Sequence, residues 1–115
     1  MGGSEEYTGA PYYAAMSALR AGADISHIFT PEKEALIPIK SYSPELIVHV
    51  AEKPSDVSSW FPSLHSLVIG PGLGRRSKIP PFLCMLIKEM LNEKKKINLV
   101  GDADFLYHLS KSKET

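Results

Sequence analysis

The 115-residue sequence predicts an α/β fold, a mainly parallel sheet with flanking helices, in a single domain over residues 1–115. Three observations lead there. Short apolar runs alternate with helical periodicities along the whole length, as βαβ units require. The run Leu-Ile-Val-His-Val at 46–50 is continuous and largely β-branched, as in strands buried on both faces. The run at 66–69 leads directly into GPGLG at 70–74, where open parallel sheets carry their ligand-binding loops.

Pro11 opens the first helix as a preset first-turn residue, and Tyr12, Met16, Leu19 and Ala23 recur behind it before Gly22 punctuates the end. Ala10, Ala14, Ala15, Ala18 and Ala21 form a second, small-residue flank suited to close approach to a sheet. Residues 25–29 read as a strand. Thr30, ahead of Pro31 and Glu32, reads as the N-cap of a helix running to about Lys40, with Pro38 in its last turn. Ser43 and Pro44 break the chain before the strand at 46–50. A weaker helix at 54–64 directs Val57, Trp60 and Phe61 to the core, and a strand at 67–69 follows. The clearest helix places Ile79, Phe82, Leu83, Leu86, Ile87 and Met90 on one face. Lys94, Lys95 and Lys96 then meet the negative end of its dipole. Residues 97–100 give the last strand, followed by one short helical stretch. Since no strand precedes the first helix and little follows the last, the sequence is expected to be part of a larger domain.

Composition narrows the partners. Thirteen basic residues offset thirteen acidic ones, so nothing steers the chain toward nucleic acid or an anionic membrane. A single cysteine, Cys84, excludes an internal disulfide and, inside a helical apolar pattern, reads as a small buried hydrophobe. No apolar stretch reaches the ~18 residues of a membrane span, and the first residues lack a basic region followed by an apolar one. A cytoplasmic protein is expected, or a mitochondrial one if a targeting segment precedes Met1.

Three places could carry chemistry. Around GPGLG, glycine lets bare backbone approach a ligand and several N–H groups converge on an anion; a plain tight turn is the alternative. The loop lacks the last glycine of the dinucleotide fingerprint, where Arg75 stands, and the Gly-Lys-Ser/Thr of a P-loop. Asp102 and Asp104 follow a strand, as a general base or metal ligand would, or cap the next helix. Residues 7–11 (Tyr-Thr-Gly-Ala-Pro) could hold a phosphate or simply enter the helix. His27, His49, His65 and His108 show no metal-pair spacing, and Ser17, Ser41 and Ser43 lack a nucleophile elbow. No catalytic or metal-ligating residue is therefore assigned, and the residues alone reach an α/β domain with a phosphate or nucleotide loop.

Three blocks go further. Residues 2–29 (GGSEEYTGAPYYAAMSALRAGADISHIF), 39–49 (IKSYSPELIVH) and 68–75 (VIGPGLGR) resemble, in order and spacing, the ATP-dependent NAD(P)H-hydrate dehydratase family in its eukaryotic form. The resemblance implies a ribokinase-like fold. It implies a lyase of nucleotide repair, which consumes ATP, with Mg2+, to remove water from the S epimer of hydrated NADH or NADPH. By the same resemblance Gly74 binds the hydrated nucleotide, Gly72 shapes its loop and Ala10 lies in the same pocket. Two positions depart from the family: Arg76 stands where aspartate is common, and Phe105 replaces a glycine and is expected to crowd the pocket floor. The family's first strand, its Asn-x-x-Glu-Phe segment, its ATP-binding loops and its catalytic aspartate are expected to lie outside these 115 residues. The expected partners are hydrated NAD(P)H and ATP, with assembly into homo-oligomers left open. The alternatives kept beside this reading are a non-catalytic nucleotide-binding or interaction remnant and an unrelated phosphate-binding module.

Overall fold

In the computed structural model, which describes residues 1–112, five helices and four short strands alternate. They are α1 (Gly9–Arg20), β1 (His27–Thr30), α2 (Lys33–Tyr42), β2 (Ile47–Val50), α3 (Ser55–Ser58), β3 (Ser66–Ile69), α4 (Ile79–Asn92), β4 (Asn98–Gly101) and α5 (Asp104–Lys111). β1 pairs with β2 and β3 with β4, both in parallel. The first three residues fill the space between the two pairs. On one side the Met1 amino group donates to Val68 O and Gly70 N donates to Met1 O at 3.0 Å. On the other, Gly2 N donates to Phe29 O at 2.9 Å. The backbone order is therefore β2, β1, residues 1–3, β3, β4, and the outer edges are β2 and β4.

Helices cover both faces because side chains alternate along each strand. Ile28 and Val48 join Ala15, Met16, Ala35 and Ile39 under α1 and α2. Phe29, Leu67 and Ile69 join Val57, Phe61, Ile79, Leu83, Leu86 and Phe105 on the other face. Five positions depart from the sequence expectations. β2 is only half buried, with Ile47 exposed, because it is an edge. Of the alanine flank of α1 only Ala15 is buried, and Pro11 and Met16 carry the contact instead. α2 starts after Glu32 and runs through Pro38 to Tyr42. The helix expected at 54–64 splits into α3 and a 3-10 turn at Phe61–Ser63, since Pro62 cannot continue the ladder; Trp60 stays partly exposed. α4 buries Ile79, Phe82, Leu83 and Leu86, while Ile87 and Met90 pack less fully.

Three basic groups are held below their ordinary pKa by burial. The Met1 amino group is pushed from 8.0 to about 5. His27 and His49 are lowered from 6.5, His49 further by the charges of His27 and Lys40. The two imidazoles share a hydrogen bond, His27 Nδ1 to His49 Nε2 at 3.0 Å, beside Trp60. Each group binds its proton less readily folded than unfolded, so the unfolded chain takes up protons first as pH falls. Stability of the 115-residue polypeptide is expected to be full above pH 8 and to fall progressively toward pH 5. The amino group alone contributes on the order of a few kcal/mol. Urea midpoints measured across that range check this; a midpoint that rises on acidification contradicts it.

Candidate functional site

The loop at 70–76 leaves β3 and is held by its own backbone, by the turn between β4 and α5, and by two side chains of α5. Gly70 has φ +131, and a Cβ built there would lie 1.7 Å from Asp102 O, in the turn between β4 and α5. Leu73 is fully buried and bonds back to Gly70 O at 3.0 Å. Gly74, at φ +82, is gripped by α5: its N–H donates to Asp104 Oδ2 at 2.9 Å and its carbonyl accepts from His108 Nε2 at 2.8 Å. Asp104 and His108 are four residues apart, hence on one face of α5. They follow Ala103, whose φ of +45 is a strained value for a residue with a side chain.

Beyond this clamp opens a cavity of about 720 Å3 lined by Glu6, Tyr7, Ala10, Gly72, Gly74, Arg75, Arg76 and Asp104. It lies against the first turn of α1. Ser4 is buried and caps the preceding turn, exchanging bonds with Tyr7: Tyr7 N donates to Ser4 Oγ at 3.2 Å and Ser4 N to Tyr7 O at 3.1 Å. Ala10, some sixty residues earlier in the chain, thus shares one wall with Gly72 and Gly74. The N–H of Gly72 has no acceptor among the described residues. That of Gly74 is already committed to Asp104, so the convergence of free N–H groups expected of the loop is reduced by one donor.

Charge is concentrated on the rim. Arg75 pairs with Asp104 Oδ1 at 3.2 Å and stacks 3.8 Å from the Tyr107 ring centre. Arg76 Nε lies 3.0 Å from Glu32 Oε1, while its Nη2 donates to Glu5 Oε2 at 3.0 Å and Glu6 Oε1 at 3.5 Å. These carboxylates, Glu32 first, raise the Arg76 pKa and keep it charged. Glu32 Oε2 accepts from Glu5 N at 3.1 Å, which ties the turn after β1 to the loop before α1.

Of the sequence candidates, Asp102 is exposed and contributes its backbone, and Asp104 is a clamp for Gly74. Phe105 does not crowd the cavity floor; it turns into the core, where a Cβ on Gly101 would come within 2.3 Å of its ring. His27 and His49 form a pair remote from the loop, whereas His108 belongs to it. In the sequence His108 is set aside with the other histidines and Glu32 reads only as part of a helix start. Only the i, i+4 spacing of Asp104 and His108 could have paired α5 with the loop. Among the described residues no three His, Cys, Asp or Glu side chains converge as a metal cage. Among the described residues no helix is long and apolar enough to cross a membrane.

A family model described as NAD(P)H-hydrate dehydratase matches residues 1–115. Relatives named ATP-dependent (S)-NAD(P)H-hydrate dehydratase share 50% identity in Ciona intestinalis, over 96% of this chain and 31% of that protein. The one from Danio rerio shares 48%, over 96% and 34%, and the one from Homo sapiens 47%, over 93% and 31%. The chain therefore spans about a third of the length of the curated relatives it matches. Among solved structures, a ribokinase-like superfamily protein from Enterococcus faecalis superposes with a TM-score of 0.81 at 23% identity, covering 96% of this chain and 37% of that one. A hypothetical protein from Streptococcus mutans gives 0.83 at 22%, covering 99% and 40%. The fold is ribokinase-like.

Proposed function

Because the chain belongs to the NAD(P)H-hydrate dehydratase family, we propose that the cavity beside GPGLG is the nicotinamide-nucleotide site of an ATP-dependent lyase that repairs hydrated NADH and NADPH. The observation that carries this is the meeting of Ala10, Gly72 and Gly74 on one wall of a cavity large enough for a nucleotide. In the reaction, ATP phosphorylates the ring hydroxyl of the S epimer, and departure of phosphate with loss of a ring proton restores the double bond, leaving ADP and phosphate. Mg2+ would accompany ATP as in other phosphoryl transfers.

This chain's own contribution is binding and orientation. α5 fixes Gly74 through Asp104 and His108, so the loop is preorganised rather than ordered on binding, which lowers the entropic cost of association. Gly72 offers to the ligand an N–H without an acceptor among the described residues, and Tyr7 and Ala10 line the cavity beside it. The ATP segments and the catalytic aspartate are assigned to the remainder of the enzyme represented by the longer relatives. A cytoplasmic setting fits the single free Cys84. The exposed Leu99, Val100, Leu106 and Leu109 at the β4 edge and on α5 are available to further protein surface.

Titration of the 15N-labelled chain with (S)-hydrated NADH tests the reading without requiring turnover. Amide shifts are expected at residues 7–10 and 72–76. Shifts centred on β2 and α3, or none at millimolar ligand, contradict it.

A further inference from the structure

The rim arginine Arg76 is held unequally at its two paired nitrogens. Its Nε edge faces Glu32, whose side chain is 2% exposed. Glu32 Oε1 has no aligned hydrogen-bond donor, so proximity to Arg76 is what balances its buried charge. The Nη2 edge faces Glu5 and Glu6, whose side chains are 61% and 58% exposed. Ion pairs that exposed are weak and readily exchanged. The guanidinium is thus anchored at Nε and loosely occupied at Nη2, and Arg76 and its partner Glu6 both line the cavity.

We propose that Arg76 is a phosphate-binding residue of this cavity: Nη2 exchanges Glu5 and Glu6 for a phosphate oxygen of the bound nucleotide while Glu32 holds Nε in place. The assignment deepens the nucleotide reading and rests on it for the identity of the ligand, not for the chemistry of the contact. Arginine suits phosphate because its fork presents parallel N–H donors to two oxygens. Arg75, the other rim cation, is laid over the Tyr107 ring and pairs through Nε with Asp104, the carboxylate that also holds Gly74, whereas Arg76 is steadied by the buried Glu32. Glu5 and Glu6 are then competing anions that occupy the site in the absence of ligand, and Glu32 is a positioning residue.

The consequence has an uncommon sign. Removing the acidic rim charge that competes with the ligand is expected to tighten binding. Affinities of the full 115-residue chain for inorganic pyrophosphate and for (S)-hydrated NADH, measured by calorimetry, decide it. The double variant Glu5→Gln, Glu6→Gln is expected to bind both probes about threefold to tenfold more tightly, and Arg76→Gln about tenfold more weakly, with Arg76→Lys intermediate. Because Arg76→Gln leaves Glu32 uncompensated and can destabilise the fold, the exposed double variant carries the decision. Unchanged or weaker pyrophosphate binding by that variant, or no pyrophosphate binding by the wild type, overturns the assignment. Pyrophosphate tightening without any binding of hydrated NADH supports the assignment and removes the nicotinamide reading instead.

Discussion

Gly70→Ala is expected to leave the chain unfolded at room temperature. The position has φ +131, outside the range of residues with side chains, and the new methyl carbon would sit 1.7 Å from Asp102 O. Neither partner can step aside. Gly70 N is bonded to Met1 O, and Asp102 is fixed by its own N–H to Ile69 O at 2.9 Å and by accepting from Phe105 N at 3.0 Å. Relief requires separating β3 from the β4–α5 turn, which opens the core around Ile69 and Phe105. The cost is about 4 kcal/mol or more, comparable to the whole stability of a small domain. Gly22→Ala is the control: φ is similarly positive at +116, but nothing lies within 4 Å of its added carbon. That variant is expected to lose only about 1 kcal/mol. Circular dichroism melts of the two distinguish clash from strain; a cooperative melt of Gly70→Ala near the wild-type midpoint contradicts the packing described.

How much of this was legible in the sequence depends on the range of the interaction. Periodicity found every helix and strand because apolar spacing is local, and it found the buried face of α4 nearly residue by residue. It misjudged β2, whose Leu-Ile-Val run reads as doubly buried. Edge position is decided by strand order, which no local pattern encodes. The helix at 54–64 was overdrawn because Pro62 falls where a new turn can start, and Phe61 can reach the core from a 3-10 turn as well as from a helix.

The site shows the same division. GPGLG is visible as a loop because glycine and proline constrain backbone locally, and the resemblance adds Ala10 across 60 residues. What grips the loop was hidden. Asp104 read as a base or cap, yet its carboxylate faces Gly74, thirty residues earlier in the chain. Phe105 read as an obstruction, yet the turn at Ala103 swings it into the core. Glu32 looks like an ordinary helix-start acid. Only the fold shows it buried and joined to both Glu5 and Arg76.

The central claim, that the wall shared by Ala10, Gly72 and Gly74 binds the hydrated nucleotide, is best tested at Ala10. A substitution at Gly74 would confound binding with stability, since its φ of +82 strains any side chain. Ala10 instead lies exposed in the first turn of α1 and lines the cavity. A tryptophan there costs roughly 0.5 kcal/mol or less in helix propensity and touches no core residue, while its indole fills space the ligand needs. The measurement is the dissociation constant of Ala10→Trp for (S)-hydrated NADH, taken beside its thermal midpoint. The expected result is a rise of at least about tenfold, equivalent to ~1.4 kcal/mol or more, with the midpoint within a few degrees of wild type. A folded Ala10→Trp chain that binds the hydrated nucleotide as tightly as wild type would show that the ligand sits elsewhere.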